Sequence, residues 1–511
     1  MKRKLLTVLL VIALALGIAA CNGGGSNSPS PSGSSAPSAA KPVEITVALD
    51  SVPNALDPIS EDIVTTVSIG YHIYDKLVDF DLNFNMIPAV AKSWKQLDVL
   101  TWEFEINMDL VFQNGDKITM DDVVYSIERM KNIPKSQDAA EVVESMTYTG
   151  NTLTVKLKAP NNVSIPKLLA LCIIVNKAYV EANGDNAIAL NPIGTGPYKV
   201  SQFTPGTTVV IETWDGYPLK KPQIDKITFI PIAENQNRYI SVETGQSQYA
   251  GGVTAKEAEL ANTNADLKSI SFGCNQIRNF SMNCMKPPFD NANVRLAMAT
   301  AFDRASFCAL DGGRTPAESM LFPGFDVYQV SEYLPKFDLE EAKSILEAEG
   351  YNASNPLKFT ITYYKPDPGL EFYQTALQSI GVDVSISLLE FSIWLDGEGS
   401  GNFTMNWLGV ENVAGTPLQD LQRFDSNFLS KRNISYYVNP EIDELIQKAY
   451  VTIDENELKG LFKQINDLVA QNNPHIPGFL QPIFGVMDKK LDGVTVRADN
   501  ITSFKNATYN G

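Results

Sequence analysis

Residues 406–417, NWLGVENVAGTP, combine side chains that can contact a small ligand. Trp407 offers a flat apolar face, Gly409 and Gly415 let a main chain approach a ligand closely, and Glu411 adds one carboxylate. The apolar residues follow neither a helical nor a strand period, which predicts a loop. An ordinary buried turn has the same composition, so this stretch alone leaves two alternatives, a ligand loop or a structural turn.

Catalytic and metal-binding patterns are weak elsewhere in the chain. The two histidines, His72 and His475, have no neighbour at the spacing of a metal site or a general base. The chain contains no G-x-x-x-x-G-K-[ST] run for ATP phosphates and no G-x-S-x-G nucleophile motif. Acidic pairs such as Asp121/Asp122 suit a helix N-terminus and do not face each other across a scissile bond. We therefore predict no catalytic residue, no cofactor and no metal site.

The N-terminal residues predict export and lipid attachment. Three basic residues at positions 2–4 precede an apolar run at 5–20 that is short for a bilayer span, and small residues precede Cys21. This arrangement resembles a bacterial lipobox, which implies cleavage before Cys21 and lipidation of that cysteine. A plain signal peptide with an incidental cysteine is the alternative. Residues 21–42 are rich in Gly, Ser and Pro, which predicts a flexible tether.

Length and charge limit the classes of protein and partner. A chain of 511 residues exceeds what one hydrophobic core usually supports, so two or three lobes are expected. The formal net charge of −18 argues against a nucleic-acid partner, because phosphate binding needs clustered Lys and Arg. The same acidic balance favours neutral or cationic cargo over anionic cargo. After the N-terminal run, no segment approaches eighteen uninterrupted apolar residues, so the body is not predicted to span a membrane.

Four further cysteines leave the disulfide pattern open. They are Cys172, Cys274, Cys284 and Cys308. An exported protein can pair them, and Cys274 with Cys284 is the closest couple in sequence. Free buried thiols are equally compatible with the sequence, and no spacing among these residues resembles a zinc site.

The elements that must position these residues alternate between strands and helices. VEITVAL at 43–49 alternates as a strand, and Asp338 begins a helix that ends near residue 350. Asn439-Pro440 begins another helix. Strands at 358–364 and 382–391 flank a predicted helix at about 370–380. Together these patterns predict an α/β protein with mixed sheets.

A series of longer motifs resembles one protein family. The motifs are YDKLVDFD (74–81), IPAVAKSW (87–94), TWEFEINMDLVFQNGDKITMDDVVYSIERMK (101–131), GTGPY (194–198), NRYISVETGQ (237–246) and KPPFDNANVRLAMATAFDR (286–304), with HIPGF and LDGV late in the chain. In this order they resemble the extracellular solute-binding proteins of family 5, the substrate-binding lipoproteins of peptide- and nickel-type ABC importers. The similarity runs from about residue 43 to the C-terminus. The motif residues are typical of core and turn positions, so they indicate a fold and not a ligand.

The resemblance implies an α/β fold like that of the class II periplasmic binding proteins, with two lobes, a two-strand hinge and an extra subdomain. Such a hinge permits closure around a ligand in the cleft. We predict a signal peptide at 1–20, a tether at 21–42, a first lobe at 43–82, 191–280 and 484–511, an extra subdomain at 83–190 and a second lobe at 281–483.

The resemblance also implies a ligand site around the opening stretch. Peptide-binding relatives commonly have a tryptophan followed three residues later by an aspartate that pairs with the peptide α-amine. Here that position is Val410, and Glu411 lies one residue further. An apolar side chain cannot neutralise a buried ammonium, so either Glu411 does so or the ligand lacks a free amine there. The segment after the first strand is expected to offer backbone pairing to an extended ligand. The predicted ligand-binding residues are Trp407, Gly409, Glu411, Gly415, Val52, Asn54 and Tyr71.

The function implied by the resemblance is capture of a solute for import. We expect a monomeric, non-enzymatic protein held by lipid on the outer face of the cell membrane, at the cell surface or in the periplasm. It would bind a peptide or peptide-like ligand and deliver it to an ABC permease with its ATPase subunits. The same fold with an oligosaccharide or metal complex as cargo, or with a signalling peptide to sense, is an alternative. A lipid-anchored extracellular hydrolase is the rival class.

Overall fold

The computed structural model describes residues 41–511 apart from 61–63, 135, 159–163, 311–312, 413–415 and 498. Pro42–Gly511 forms one compact unit. The predicted signal peptide at 1–20, Cys21, nearly all of the tether and Gly415 lie outside the described residues. Within the described part of the chain, no helix combines the length and apolar character needed to cross a membrane.

The described helices are distributed along the whole unit. In chain order they are α1 (Val64–Ile73), α2 (Met120–Met130), α3 (Gln137–Ala140), α4 (Ser164–Leu171), α5 (Lys177–Asn183), α6 (Asn186–Leu190), α7 (Asn235–Glu243), α8 (Ala255–Thr263), α9 (Ala292–Thr300), α10 (Arg304–Ala309), α11 (Leu339–Ala348), α12 (Pro368–Ser379), α13 (Phe391–Ser400), α14 (Leu418–Leu421), α15 (Pro440–Val451) and α16 (Glu455–Asn472), with a short 3-10 helix at Ser426–Phe428. Asp338 caps α11 and Asn439 caps α15 by accepting hydrogen bonds from backbone N–H groups of the first turn. Both predicted helix starts are confirmed.

The strands alternate with these helices. In chain order they are β1 (Glu44–Leu49), β2 (Val78–Phe80), β3 (Met86–Pro88), β4 (Ala91–Gln96), β5 (Thr101–Ile106), β6 (Val143–Thr149), β7 (Thr152–Leu157), β8 (Tyr198–Thr204), β9 (Thr208–Thr213), β10 (Lys226–Pro231), β11 (Tyr249–Val253), β12 (Leu267–Met282), β13 (Thr315–Pro316), β14 (Lys358–Tyr363), β15 (Asp383–Leu388), β16 (Met405–Glu411), β17 (His475–Asp488), β18 (Leu491–Asp492), β19 (Thr495–Val496), β20 (Thr502–Ser503) and β21 (Thr508–Tyr509). The predicted alternation of strands and helices is therefore confirmed.

One large mixed sheet runs through the unit. Its strand order is β15-β14-β16-β12-β17-β11-β1-β10-β9-β8, and β13 adds to β17. Strand β14 is parallel to β15 and β16, and β1 is parallel to β10 and β11. The two longest strands, β12 with 16 residues and β17 with 14, pair antiparallel at the centre. Their register shifts between Gly273 and Ile277, so the ladder is interrupted where the two halves of the sheet meet.

Two large apolar cores lie on the two halves of this sheet. The first core is built mainly from residues between Ile45 and Phe229, together with C-terminal residues from Met487 to Ala507. The second core contains residues between Ile277 and Phe479. Two separate cores joined by two long strands agree with a two-lobed chain, while the predicted lobe boundaries stay a prediction.

A smaller antiparallel sheet belongs to the region predicted as an extra subdomain. Its strand order is β4-β5-β7-β6. Along β5, Trp102, Phe104 and Ile106 are buried, as their alternation predicts. These side chains belong to the first core, so this sheet shares a core with the first half of the large sheet.

The opening stretch is not a loop. Residues 405–411 form β16, which pairs antiparallel with β12 and parallel with β14. The prediction of a loop was wrong for this part because successive residues of a strand buried on both faces show no alternation between apolar and polar side chains.

Three of the cysteines are free thiols: Cys172, Cys284 and Cys308. The Cys284 thiol donates to the Met282 carbonyl oxygen at 3.4 Å, and burial raises the pKa of this thiol to about 11. A disulfide between Cys284 and Cys274 is therefore not formed. The side chain of Cys274 lies outside the described residues.

Candidate functional site

A cavity of about 430 Å³ opens between the two halves of the large sheet, beside the crossing of β12 and β17. Residues 253–255, at the end of β11 and the start of α8, line it from the first half of the large sheet, and Val253 belongs to a third, smaller apolar cluster. The end of β14 and residues 365–368 line it from the second-core side. The carboxyl ends of β11 and β14 lie at this cavity, and each of these strands has a parallel neighbour. Open α/β sheets bind their ligands at the carboxyl ends of such strands. We call this cavity the cleft.

Arg278 brings a positive charge to the cleft from the central strand β12. Its Nη1 donates to the Tyr363 phenol oxygen at 3.0 Å, across from the end of β14. Burial raises the pKa of the Tyr363 phenol, although the charge of Arg278 acts in the opposite direction. The phenol is therefore neutral at physiological pH and holds the guanidinium in place.

Arg314 brings a second positive charge from the residue before β13. Its guanidinium lies 4.3 Å from the centroid of the Phe479 ring and 5.7 Å from that of Phe307. Its Nη2 is 3.6 Å from the Asp367 carboxylate, and the Arg314 side chain is 10% exposed. Arginine stacks well on aromatic faces because its planar guanidinium is weakly hydrated. These rings therefore restrict the orientation of the charge.

Asp367 is the only carboxylate among the described residues that line the cleft. It caps α12 by accepting from the Gly369 backbone N–H at 2.9 Å. Its other oxygen accepts from Trp407 Nε1 at 3.1 Å. Asp367 is thus fixed by a helix N-terminus on one side and by the indole of the opening stretch on the other.

Trp407 reaches the cleft only through this hydrogen bond. Its side chain is 0% exposed in the second core, with ring centroids 4.5 Å from Phe280 and 5.9 Å from Phe479. In the described conformation a ligand has no indole surface to contact. The structure therefore places Trp407 behind the residues that line the cleft, and its assignment to the ligand site stays a prediction.

The other described residues of the opening stretch are held by neighbouring side chains. Gly409 pairs with Arg278 in the ladder, and a Cβ at Gly409 would lie 2.8 Å from the Gln276 side chain. Gln276 Nε2 also donates to the Glu411 carboxylate. Val410 is 9% exposed and belongs to the second core. Gly409 is therefore explained by the packing of Gln276, and neither Gly409 nor Glu411 is among the residues that line the cleft.

The three candidates from the first half of the chain also lie outside the cleft lining. Val52 is 5% exposed in the first core. Asn54 is exposed beside Gly206, whose backbone N–H donates to the carbonyl oxygen before Asn54 at 3.1 Å. Tyr71 donates to Asp79, and the Lys505 ammonium lies 3.9 Å from the centroid of its ring. Their assignment to the ligand site stays a prediction.

Both histidines are buried structural residues. His72 Nδ1 donates to the Ser68 carbonyl oxygen at 2.8 Å, and its Nε2 accepts from the Phe504 backbone N–H at 2.9 Å. His475 Nδ1 lies 2.9 Å from the Asn279 side-chain oxygen. Burial lowers the pKa of each imidazole to about 3, so both are neutral at physiological pH. Among the described residues, no group of three or more His, Cys, Asp and Glu side chains is arranged to hold a metal ion.

The sequence analysis did not identify the charged residues that line the cleft. Arg278, Arg314 and Asp367 come from separate elements, so no local spacing connects them. One signal was present at Asp367. The segment Lys365-Pro-Asp-Pro lies between a predicted strand and a predicted helix, where a parallel strand ends.

A second recess of about 470 Å³ lies elsewhere, beside the C-terminal ends of α11 and α12. Its lining includes Lys343, Glu347 and Gln378, and every lining residue falls between residues 343 and 382. Closure of the two cores would not enclose this recess. The cleft is therefore the stronger candidate for ligand capture.

Comparison with known proteins gives a family and a fold. The model of the bacterial extracellular solute-binding proteins, family 5, matches residues 85–431, which is more than half of the chain. The glutathione-binding protein GsiB of Pectobacterium atrosepticum is 26% identical over 509 aligned positions, covering 93% of this chain and 96% of that protein.

Two solved structures show the same architecture. HbpA2 from Haemophilus parasuis superposes with a TM-score of 0.84 at 20% identity, covering 91% of this chain and 100% of that one. The periplasmic binding protein DppA from Helicobacter pylori, in complex with the peptide STSA, gives a TM-score of 0.72 at 22% identity and covers 92% and 98%. The predicted α/β fold of the periplasmic-binding-protein kind is confirmed.

The family match also decides between the functional classes. Proteins of this family bind solutes outside the cytoplasm and are not enzymes. The prediction of a non-enzymatic protein is therefore confirmed, and the rival reading as a hydrolase is set aside. The chain belongs to the bacterial extracellular solute-binding proteins, family 5.

Proposed function

We propose that this protein captures a peptide or peptide-like ligand in the cleft and delivers it to an ABC permease. The observation that carries the proposal is that both halves of the large sheet line the cleft, β11 from the first half and β14 from the second, at the crossing of β12 and β17. A ligand that contacts both sides binds a closed arrangement more tightly than an open one. That difference in affinity is what drives closure.

The chemistry of the cleft supports a peptide-like ligand. Its volume of about 430 Å³ falls in the range of small-molecule sites. Arg278 and Lys365 are placed to bind carboxylates, and Asp367 is placed to bind an ammonium group. A peptide carries both groups. Asp367 thus supplies, from another element, the carboxylate that is missing at Val410.

Relatives point in the same direction. GsiB is named for binding glutathione, which is a peptide derivative, and the DppA structure contains a bound peptide. An oligosaccharide is less well matched to a lining that combines three cationic side chains with one carboxylate. We therefore prefer a short peptide or peptide derivative as the cargo.

We propose attachment to the outer face of the membrane through lipid on Cys21. The support is the basic and apolar N-terminal sequence with small residues before that cysteine. A Gly-, Ser- and Pro-rich tether would let a monomeric body reach its permease. The permease and its ATPase subunits must supply the energy, because the chain has no nucleotide-binding motif of the G-x-x-x-x-G-K-[ST] type.

Native mass spectrometry of the full-length chain tests these proposals. The chain is purified in mild detergent from bacteria grown in rich medium, and its mass is compared before and after denaturation. We expect released peptide masses and a covalent lipid adduct that is lost in Cys21→Ser. Saccharide masses, or a ligand-free chain that ignores a peptide library, would contradict peptide capture, and an unmodified N-terminus would contradict the anchor.

A further inference from the structure

We infer that the cleft selects short peptides with at least two carboxylates and a net negative charge. This inference rests on the proposed function and adds the charge class of the ligand. Among the described residues, the cleft lining carries three cationic side chains, Arg278, Arg314 and Lys365, against the single carboxylate of Asp367. Arg314 is paired with Asp367 at 3.6 Å, so Arg278 and Lys365 are the two cations that ligand carboxylates can neutralise. A zwitterionic peptide with one carboxylate would neutralise only one of these two.

The cationic groups lie along the segment from Tyr363 to Asp367. Arg278 is held at one end by Tyr363, at 3.0 Å. Arg314 lies at the other end, where it already pairs with Asp367 at 3.6 Å. Four residues of extended chain reach at most ~14 Å, and Lys365 lies inside this segment. Arg278 and Lys365 are therefore within reach of two carboxylates on one small ligand.

Lys365 adds charge between these two positions in the sequence. Its ammonium lies 5.5 Å from the centroid of the Tyr364 ring, and its side chain is exposed. A flexible lysine can follow a ligand carboxylate whose position varies. The three cations therefore combine two oriented groups with one mobile group.

No acidic side chain from the first half of the large sheet is among the described residues that line the cleft. Residues 253–255 contribute Val, Thr and Ala. The nearby Glu257 is occupied in the capping box of α8, where its carboxylate accepts from the backbone N–H and the hydroxyl of Thr254 at 2.7 Å each. Glu257 therefore stabilises the start of α8, and its carboxylate is not directed at a ligand.

The charge of the cleft is opposite to that of the whole chain. The formal net charge of −18 led to the expectation of neutral or cationic cargo. Charges farther than ~8 Å from a ligand are largely screened at physiological ionic strength. The local cations therefore decide the preference, and the expectation from composition is reversed.

Titration calorimetry with matched tripeptides tests this inference on the full-length chain in mild detergent. The peptides are trialanines in which one position at a time is Glu, Gln or Lys, so Glu and Gln differ in charge but hardly in shape. At one position or more, we expect the Glu peptide to bind ~10-fold tighter than its Gln counterpart, because a charge-assisted hydrogen bond is stronger than a neutral one. The Lys peptides are expected to bind more weakly than the Gln peptides.

Variants of the cleft connect this preference to named residues. Arg278→Gln and Lys365→Gln should each reduce the Glu-over-Gln preference several-fold, and Lys365→Gln is the safer variant because its side chain is exposed. Lys358→Gln is the matched control, since Lys358 lies at the other end of β14, pairs with Asp383 at 2.9 Å and is absent from the cleft lining. It should keep the full preference.

The outcomes separate this inference from the proposed function. If Gln and Glu peptides bind equally at every position, the charge selection is wrong while peptide capture stands. If the preference is the same in Lys365→Gln, Arg278→Gln and the parent chain, the assignment to the cleft is wrong. If no peptide of the set binds, the proposed capture of short peptides fails, and this inference fails with it.

Discussion

At the scale of single residues, Trp407 is buried behind the cleft, and we expect it to act on ligand binding through Asp367. Its indole N–H donates to Asp367 at 3.1 Å, and its ring fills the second core at 0% exposure. Trp407→Phe keeps an aromatic ring but removes the donor. We expect ligand affinity to fall ~3- to 10-fold, because Asp367 loses one of the bonds that orient it. The free energy of unfolding should fall by ~1–2 kcal/mol.

Trp394→Phe is the matched control for this prediction. Trp394 belongs to the same core, but its indole N–H donates to Asn406 at 2.7 Å, away from Asp367. Denaturant titration and calorimetry with a bound peptide separate the two effects. Equal losses of affinity in both variants would show that Trp407 acts through general packing and does not orient Asp367.

Glu398 gives the second half of the chain a pH-dependent stability. Its carboxylate accepts from Asn406 Nδ2 at 2.8 Å, and burial raises its pKa to about 7. The folded protein therefore binds this proton more tightly than the unfolded chain. The contribution of Glu398 to stability is fully present below its unfolded pKa, near 4.5, and is lost as the pH rises through about 7.

Glu398→Gln removes this titration while keeping an oxygen for Asn406. We expect the variant to be more stable than the parent by ~1–2 kcal/mol at pH 8, with the difference vanishing near pH 4.5, as followed by denaturant titration. Glu390→Gln, at the start of the same helix, is the control. Hydrogen bonds from Ser392 lower the pKa of Glu390, so its replacement should give no gain at pH 8. If Glu398→Gln raises the free energy of unfolding equally at every pH, the titration of Glu398 is not the cause of the gain.

At the scale of elements, the sequence predicts what local chemistry determines. Asp338 and Asn439 begin α11 and α15 because their side chains satisfy free amides of the first turn, a contact within four residues. Strand β16 was not predicted, because the contacts that bury it come from distant parts of the chain. Its residues are buried by β12 on one side, β14 on the other and helices above and below, none of which is local.

The site was less predictable than the fold. Family motifs identify the scaffold, but the cleft is built from Arg278, Arg314 and Asp367, which the chain brings together only after β12, β13 and α12 are in place. The sequence did show the missing aspartate at Val410. It could not show that Asp367 accepts a hydrogen bond from the indole of Trp407, because that contact joins residues 40 positions apart.

At the scale of the whole molecule, two long strands and one aromatic side chain join the two cores. Strands β12 and β17 connect them, and their register shift marks a place where the ladder can bend. Phe84, on the connection between β2 and β3, packs against both cores. Its ring lies 5.7 Å from Phe325 of the second core and 5.6 Å from the guanidinium of Arg497. We expect this contact to stabilise the arrangement in which the cores are close together.

Removing the Phe84 ring should therefore favour separation of the cores. An aromatic pair contributes ~0.5–1.5 kcal/mol beyond its burial, so Phe84→Ala should shift the population toward an open form by ~2- to 10-fold. Small-angle X-ray scattering of the ligand-free chain should then give a larger radius of gyration than for the parent. Leu82→Ala, on the same connection and 54% exposed, should leave the scattering unchanged. If both variants scatter like the parent, Phe84 does not hold the cores together, and closure depends on the ligand and the two crossing strands alone.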